Sequence, residues 1–369
     1  MKNLKSILIE GLADWDEGDF EKSIKKETSK SAIKKLIIDY IFTNYSRESY
    51  IDKKIYKNKI KIDTSTTPWT VDYDGDLYLK TWLKDELRLT NGMFQWGEIM
   101  GCFDISFSKI DSLDGCPKKT RKFKCSNCPN LKSLEGGPKD VGISYYCFSC
   151  NNLESLKGAP KIINGLFNCS NCPNLKSLEG GPEKLFGEFD NGAFTCQLCG
   201  NLKDLKGAPK IVDSFDCVGC KNLTSLKGSP KKVKSFYCNN CKSLKSLEGG
   251  PEEVISFNCK ECDGIKDLKG VPSKIKSLYC MKCNNLESLE GLPKDQMNIL
   301  YCSYTPITSL DGVPDKINTI DITGCNKLKR WGDNGPKEII EIRCAVYDKN
   351  IRDFLDRKDD PNYPKIIIK

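Results

Sequence analysis

The chain of 369 residues contains no histidine. That removes the commonest general base, the Ser–His and Cys–His nucleophile systems, and the commonest metal ligand. No paired carboxylate or activated nucleophile is marked by a motif, so the expectation is that the chain is not an enzyme and carries no cofactor. Apolar runs of about 18 residues, the length a membrane helix needs, are also missing. The opening apolar stretch from Leu4 is broken by Glu10 and followed by Asp14, Asp16, Glu17 and Asp19, which does not read as a signal peptide. With no such leader, the 21 cysteines are expected to sit in a reducing cytoplasm as thiols.

Charge of one sign is not in general excess. Residues 1–21 hold two Lys against six acids, a net of −4, and residues 22–61 hold twelve Lys or Arg against four acids, a net of +8. The remainder then sums to +4 of the total +8, mild for its length. A uniformly basic nucleic-acid binder does not look like this. The basic stretch 22–61 carries only Tyr45, Tyr50 and Tyr56 between its charges and reads as the outer face of a solvated helix.

What is present is a repeat. Cys-x-x-Cys occurs at Cys125/Cys128, Cys147/Cys150, Cys169/Cys172, Cys196/Cys199, Cys217/Cys220, Cys238/Cys241, Cys259/Cys262 and Cys280/Cys283, with steps of 22, 22, 27, 21, 21, 21 and 21 residues between first cysteines. One unit reads F-x-C-x-x-C-x-N-L-x-S-L-x-G-x-P-x-x-[IV]-x-S. The stretch Cys125–Pro138 recurs unchanged at Cys169–Pro182, which suggests duplication of a two-rung block. Weaker copies start at Phe103 and continue through Leu300, Ile320 and Ile342, giving twelve rungs. F-x-C is then a short strand with Phe and the first Cys inward, and the second Cys stands where the chain turns. Leu-x-x-Leu fills the next side of the core, Gly permits a bend, Pro ends regular structure, and [IV] closes the core. No rung is stable alone, because only stacking buries its apolar face.

F-x-C-x-x-C-x-N-L resembles the cysteine-containing form of the leucine-rich repeat core, L-x-L-x-x-[N/C]-x-L. Its S-L-x-G-x-P continuation is similar to that in leucine-rich-repeat proteins encoded by tailed phages and other large DNA viruses. The resemblance covers residues ~100–345 and implies a parallel β-solenoid used for protein recognition. Gly and Pro leave too little room for the convex helix of standard repeats, so turns or a short 3₁₀ piece are expected there. The fold expected is mainly β: a parallel β-solenoid of about twelve 21–22-residue repeats, with a small α/β N-terminal cap and short N-terminal helices.

The ends are expected to cap the stack. Residues 1–60 read as two amphipathic helices, the first on Leu4, Leu8, Leu12 and Trp15, the second on Ile33, Leu36, Ile37, Tyr40 and Ile41 with Ser31 as N-cap. Residues 61–102 form a capping region, with a hairpin about Asp74-Gly75 inside 69–79 and with Trp82 and Trp96. The solenoid runs over 103–345, and 346–369 cap the other end.

Several motifs invite a site. Four thiolates from neighbouring rungs could surround zinc, yet Ile105 and Ile322 replace the first cysteine without disturbing the phase. That fits buried packing residues, for which free Cys serves well, and no metal is expected. The second cysteine is expected to offer its thiol to backbone groups in the turn. Asp72-x-Asp74-Gly75-Asp76 begins like a calcium loop, but its twelfth position is Leu83 where a bidentate Glu is required. After Leu-x-x-Leu the residues Glu135, Lys157, Glu179, Lys206, Lys227, Glu248, Lys269 and Glu290 mostly alternate in sign, either a device that fixes register or a solvated face. The outward strand positions are the candidate partner-binding residues: Tyr146, Phe148, Tyr237, Tyr279, Met281 and Tyr301, with Tyr279, Met281 and Tyr301 forming one cluster and Tyr146 with Phe148 another. Exposed aromatics and Met in rows suit protein contact, though strands favour aromatics in any case.

The functional expectation is a non-enzymatic protein-interaction module, virus- or phage-encoded, acting in the cytoplasm on a protein partner, with no small-molecule substrate, nucleic acid or membrane. A structural or virion-associated protein docked through its N-terminal helices is the alternative. A zinc-binding cysteine scaffold is the third.

Overall fold

A computed structural model describes residues 30–31, 34–35, 37–38, 41, 58–66, 69–78, 94–187, 192–332, 334–344 and 365–366. The chain divides into two units, Met1–Cys169 with Gly180–Pro182, and Ser170–Glu179 with Glu183–Lys369. The first holds β1 (Ile60–Asp63), β2 (Trp69–Tyr73), β3 (Leu77–Tyr78), β4 (Phe94–Asp104), β5 (Lys119–Lys124), β6 (Asp140–Tyr146), β7 (Ile162–Ile163) and β8 (Leu166–Asn168). The second holds β9 (Lys184–Leu185), β10 (Ala193–Thr195), β11 (Ser214–Asp216), β12 (Lys232–Tyr237), β13 (Glu253–Asn258), β14 (Lys274–Tyr279), β15 (Met297–Tyr301), β16 (Lys316–Asp321), β17 (Glu338–Arg343) and β18 (Lys365–Ile366). Each unit is a stretch of parallel β-solenoid, and the chain forms about twelve turns in all. Where the cysteine step lengthens to 27, β9 ends at Leu185 and β10 begins at Ala193; residues 188–191 lie outside the described set.

Register follows the repeat. In the second unit Phe194, Phe215, Phe236, Phe257, Leu278, Leu300, Ile320 and Ile342 are successive partners. Phe194, Phe215, Phe236 and Phe257 stack ring on ring, with centroids 5.4, 5.4 and 5.1 Å apart. In the first unit Trp96, Phe103, Phe123, Tyr145 and Phe167 make the same buried column. Offset aromatic columns at this spacing combine large apolar burial with favourable ring geometry. Leu131/Leu134 and Leu223/Leu226, like their counterparts in the other full rungs, are fully buried.

Two turns close each rung. After the second cysteine, Leu223 N–H donates to the Cys220 carbonyl and Leu244 N–H to that of Cys241, both at 3.0 Å. At the Gly-containing turn, Ser229 N–H donates to the Leu226 carbonyl at 3.0 Å. Gly207 there has φ +90° and lies so close to the neighbouring rung that a Cβ would fall 2.2 Å from the Glu179 nitrogen. Only glycine fits both constraints. The consensus Ser in S-L-x has its own role: Ser225, Ser246 and Ser288 accept the backbone N–H two residues on at 3.1 Å, and Asp204 and Asp267 replace them at 3.0 Å. No residue between Phe103 and Cys344 that the structure describes is helical, so turns form the return path, as the Gly and Pro content predicts.

The N-terminal region departs from expectation in one respect. No hairpin forms about Asp74-Gly75: β1 pairs antiparallel with β2, while β2 and β3 both run parallel to β4. The Asp-Gly step interrupts a strand that continues in the same direction. The reason lies in β4, whose Glu98 and Cys102 N–H groups donate to Asp72 Oδ1 at 2.7 Å and Asp76 Oδ1 at 2.6 Å. Gly97 and Gly101 leave the room: a Cβ at either would sit 2.0 or 2.3 Å from those carboxylate oxygens. Asp72 and Asp76, two of the acids that resemble a calcium loop, are thus committed to backbone. Of the expected second helix, residues 30–31, 34–35, 37–38 and 41 are helical, with Ile37 and Ile41 buried. Ile33, Leu36 and Tyr40, the first expected helix, Trp82 and most of 346–369 lie outside the described residues. From that last stretch Lys365–Ile366 pairs with β17.

Candidate functional site: the outward strand face

The cysteines decide which side chains remain for a partner. Both cysteines of all eight pairs are buried thiols. The second cysteine of one rung donates its thiol to the carbonyl of the first cysteine of the preceding rung: Cys150 to Cys125 at 3.2 Å, Cys220 to Cys196 at 3.2 Å, Cys241 to Cys217 at 3.3 Å, Cys262 to Cys238 at 3.0 Å, and Cys283 to Cys259 at 3.2 Å. In the weaker rungs a hydroxyl stands at the second position and donates within its own rung instead: Ser108 Oγ to the Ile105 carbonyl at 2.6 Å and Thr305 Oγ1 to that of Cys302 at 2.5 Å. The first cysteine is exchanged for Ile and the second for a hydroxyl, so the second position keeps a donor in every such exchange while the first can do without one. Cys217 and Cys302, at first positions, nevertheless also donate, to the Tyr237 and Asp321 carbonyls at 3.3 and 3.4 Å. Burial and neighbouring sulfurs push the thiols of Cys199, Cys238 and Cys280 well up, and hydrogen bonding by Cys241 does the same to Cys217. Among the described residues no group of three or more Cys, Asp or Glu is arranged to hold a metal ion.

The residue before the second cysteine adopts a left-handed conformation in rung after rung, including Asn127, Ser149, Leu198, Asn240, Glu261, Lys282 and Tyr304 at φ 56–61°. Its N–H donates along the stack, as Leu198 to the Val218 carbonyl and Asn240 to that of Lys260, both at 2.8 Å. Asn and Gly suit this position and account for five of its occupants, Asn127, Asn171, Gly219, Asn240 and Gly324; Leu198 and Tyr304 do not suit it. The repeat pattern gives no sign of it, because the residue type varies.

The six expected partner-binding residues fall as follows. Tyr146, Tyr237, Tyr279, Met281 and Tyr301 are half-buried and Phe148 is exposed. Tyr237, Asn258, Tyr279, Tyr301, Asp321 and Arg343 are successive register partners, so they form one outward row. Tyr279 and Tyr301 meet edge to face, with centroids 5.4 Å apart, and the Arg343 guanidinium lies 5.3 Å from the Tyr301 centroid. That stack is an aromatic–cation cluster on a rigid sheet. Tyr237 is separated from Tyr279 by Asn258. Tyr146 lies in the first unit, between Lys124 and Asn168 in register.

The polar members of the rows behave differently. Asp104, Asp216 and Asp321 turn back to accept the N–H two residues on, at 3.0, 3.0 and 2.9 Å, and Asn258 does the same at 3.2 Å. Burial holds the Asp216 carboxyl above its ordinary range. These side chains are occupied by their own turn, whereas no such turn contact ties down Tyr279 and Tyr301.

Charge alternation after Leu-x-x-Leu gives real cross-rung pairs: Lys157–Glu135 at 2.8 Å, Lys206–Glu179 at 2.9 Å and Lys269–Glu290 at 3.7 Å. All are strongly exposed, so solvent screening leaves them little effect on stability. A second feature of the outward face was not legible as a site in the sequence: a groove of about 880 Å³ across five rungs, from Lys210 to Gln296. Its signal was Ile211 and Ile255, which flank the buried [IV] positions and are 44% and 49% exposed. Among the described residues no helix is long and apolar enough to cross a membrane. Neither a protein-family model nor a curated protein matches the chain.

Proposed function

We propose that the chain is a non-enzymatic interaction module of the cysteine-containing leucine-rich-repeat type, virus- or phage-encoded, that binds a protein partner through its outward strand face. The observation that carries this reading is the Tyr279–Tyr301–Arg343 cluster: Tyr279 and Tyr301 meet on adjacent parallel strands, and Arg343, two strands beyond Tyr301, reaches back over its ring. Tyr and Arg are enriched among the residues that dominate binding energy in protein interfaces, and Tyr buries much area at small entropic cost. A reducing compartment such as a host cytoplasm is favoured by the thiol-to-carbonyl bonds, which need the sulfur as S–H. Docking through the N-terminal helices is disfavoured, since Ile37 and Ile41 of the second helix are already buried.

The test is affinity capture from lysate with the wild-type chain beside a Tyr279→Ala/Tyr301→Ala variant of equal thermal stability. Specific partners are expected to bind the wild type and to drop at least tenfold on the variant, about 1.4 kcal/mol. Equal recovery of every partner by both proteins would remove this face from consideration.

A further inference from the structure

The groove on the second unit lies on the same strands as the tyrosine row, towards their N-terminal ends. It is lined by Lys210, Lys231, Lys232, Lys234, Lys274 and Lys276 against three acids, Asp213, Glu253 and Asp295, a net of +3. Lys231 pairs with Glu252, Lys232 and Lys274 share Glu253 at 3.0 and 3.7 Å, and Lys234 meets Asp213 at 3.2 Å. Among the described residues, Lys210 and Lys276 have no carboxylate within ion-pair distance. Between these charges stand Ile211 and Ile255, exposed where the neighbouring Val212 and Val254 are buried. Single exposed aliphatics are ordinary, but two in one concavity ringed by lysine make a mixed apolar and cationic lining.

We infer that this groove binds an extended acidic peptide segment whose carboxylates alternate with aliphatic side chains. The inference rests on the strand face being the interaction surface and specifies the partner's chemistry there. Charge complementarity favours an acidic occupant, since Lys210 and Lys276 offer cations that no carboxylate among the described residues pairs with. The aliphatic lining calls for apolar side chains between the acids. A nucleic-acid strand fits less well: Asp213, Glu253 and Asp295 interrupt the cation row, no arginine is present, and the exposed apolar residues are Ile rather than stacking aromatics. Five rungs at a spacing of about 4.8 Å span roughly 19 Å, the length of about six extended residues, so alternate side chains of such a segment would face the groove.

Fluorescence anisotropy with the full chain tests this. The probes are a labelled eight-residue peptide alternating Asp or Glu with Ile or Leu, the same peptide with Lys in place of its acids, and a labelled oligo-dT of eight nucleotides. The acidic peptide is expected to bind saturably and to weaken with salt. The exposed-site variants Lys210→Glu/Lys276→Glu and Ile211→Asp/Ile255→Asp should each lower its affinity at least tenfold with thermal stability unchanged. The Tyr279→Ala/Tyr301→Ala variant should still bind it. Absent binding of the acidic peptide, equal binding of the lysine peptide, tighter binding of oligo-dT, or indifference to both groove variants would each overturn the proposal. Loss of captured partners on the tyrosine variant together with failure of the peptide would leave the strand face standing and the acidic occupant refuted. The converse pattern would refute the tyrosine row alone.

Discussion

At the scale of single residues, the two cysteines of a rung do different things, and substitution should separate them. Cys259 occupies the position held elsewhere by Ile105 and Ile322, so Cys259→Val is expected to cost under about 1.5 kcal/mol, as volume-conserving core changes do. Cys262 donates to the Cys238 carbonyl at 3.0 Å in full burial. Cys262→Val removes the donor and should cost about 1–3 kcal/mol more. Urea denaturation of both variants checks this, and equal losses would show that the second thiol merely fills space. Leu198 offers a second test. It is held left-handed at φ 57°, and its side chain lies over Gly219 of the next rung, where a Cβ would meet Leu198 Cδ2 at 2.7 Å. Leu198→Asn should stabilise by about 0.5–1 kcal/mol by relieving backbone strain. Gly219→Ala should destabilise by about 1–2 kcal/mol, and less in the Leu198→Asn background, because the contact is gone; a double-mutant cycle reads the difference.

At the scale of the element, the unit that matters is the rung, set by a strand register that repeats every 21 residues through β11 to β14. Excising Ser235–Ile255 joins Lys234 to Ser256, which is the register partner of Ser235 and so takes its place in the strand. Nearest-neighbour stability predicts a folded, somewhat less stable chain. Excising 20 residues instead turns every following side chain to the wrong face and should abolish cooperative unfolding. Circular dichroism melts of the two deletions distinguish these outcomes; similar melts would mean that register is not what the repeat encodes. The rung was legible in the sequence because Phe, Cys, Leu, Gly and Pro each recur at fixed places for separate physical reasons. Asp74-Gly75 favours a hairpin by local turn preference, and the partner strand β4 overrides it. Gly97 and Gly101, 22 and 26 residues on, admit the Asp72 and Asp76 carboxylates to β4, and no local window contains both.

At the scale of the whole molecule, buried thiols couple folding to pH. Cys102, Cys116, Cys150, Cys199, Cys217, Cys238, Cys259, Cys280 and Cys302 are raised, by desolvation or by a neighbouring thiol; Cys102 is pushed by burial to about 11. Three are lowered: Cys128 by hydrogen bonding to Cys150, Cys283 to Cys259, and Cys325 to Cys302, the last to about 7. Each is the partner of a raised thiol. A raised group keeps its proton when the unfolded chain, with thiols near 8.5, has lost it. Its contribution is therefore complete below about pH 8.5 and is lost as pH rises. The raised groups outnumber the lowered, so stability should fall above about pH 8.5, by up to about 1.4 kcal/mol per pH unit for each thiol that stays protonated. Urea midpoints from pH 7 to 10.5 under reductant check the slope, and a flat or rising profile would contradict buried S–H groups.

The sequence by itself determined the rung: its period, which residues face inward, where it turns, and that return paths are turns rather than helices. These follow from side-chain size, backbone freedom and alternation, which are local properties repeated often enough to be read. Only the tertiary structure decided what happens between rungs. The thiol-to-carbonyl bonds, the left-handed residue before each second cysteine, the Tyr279–Tyr301–Arg343 stack and the lysine groove all join residues about 20 or more apart. Their geometry depends on strand spacing and on which neighbour stands above, so no single copy of the repeat contains it.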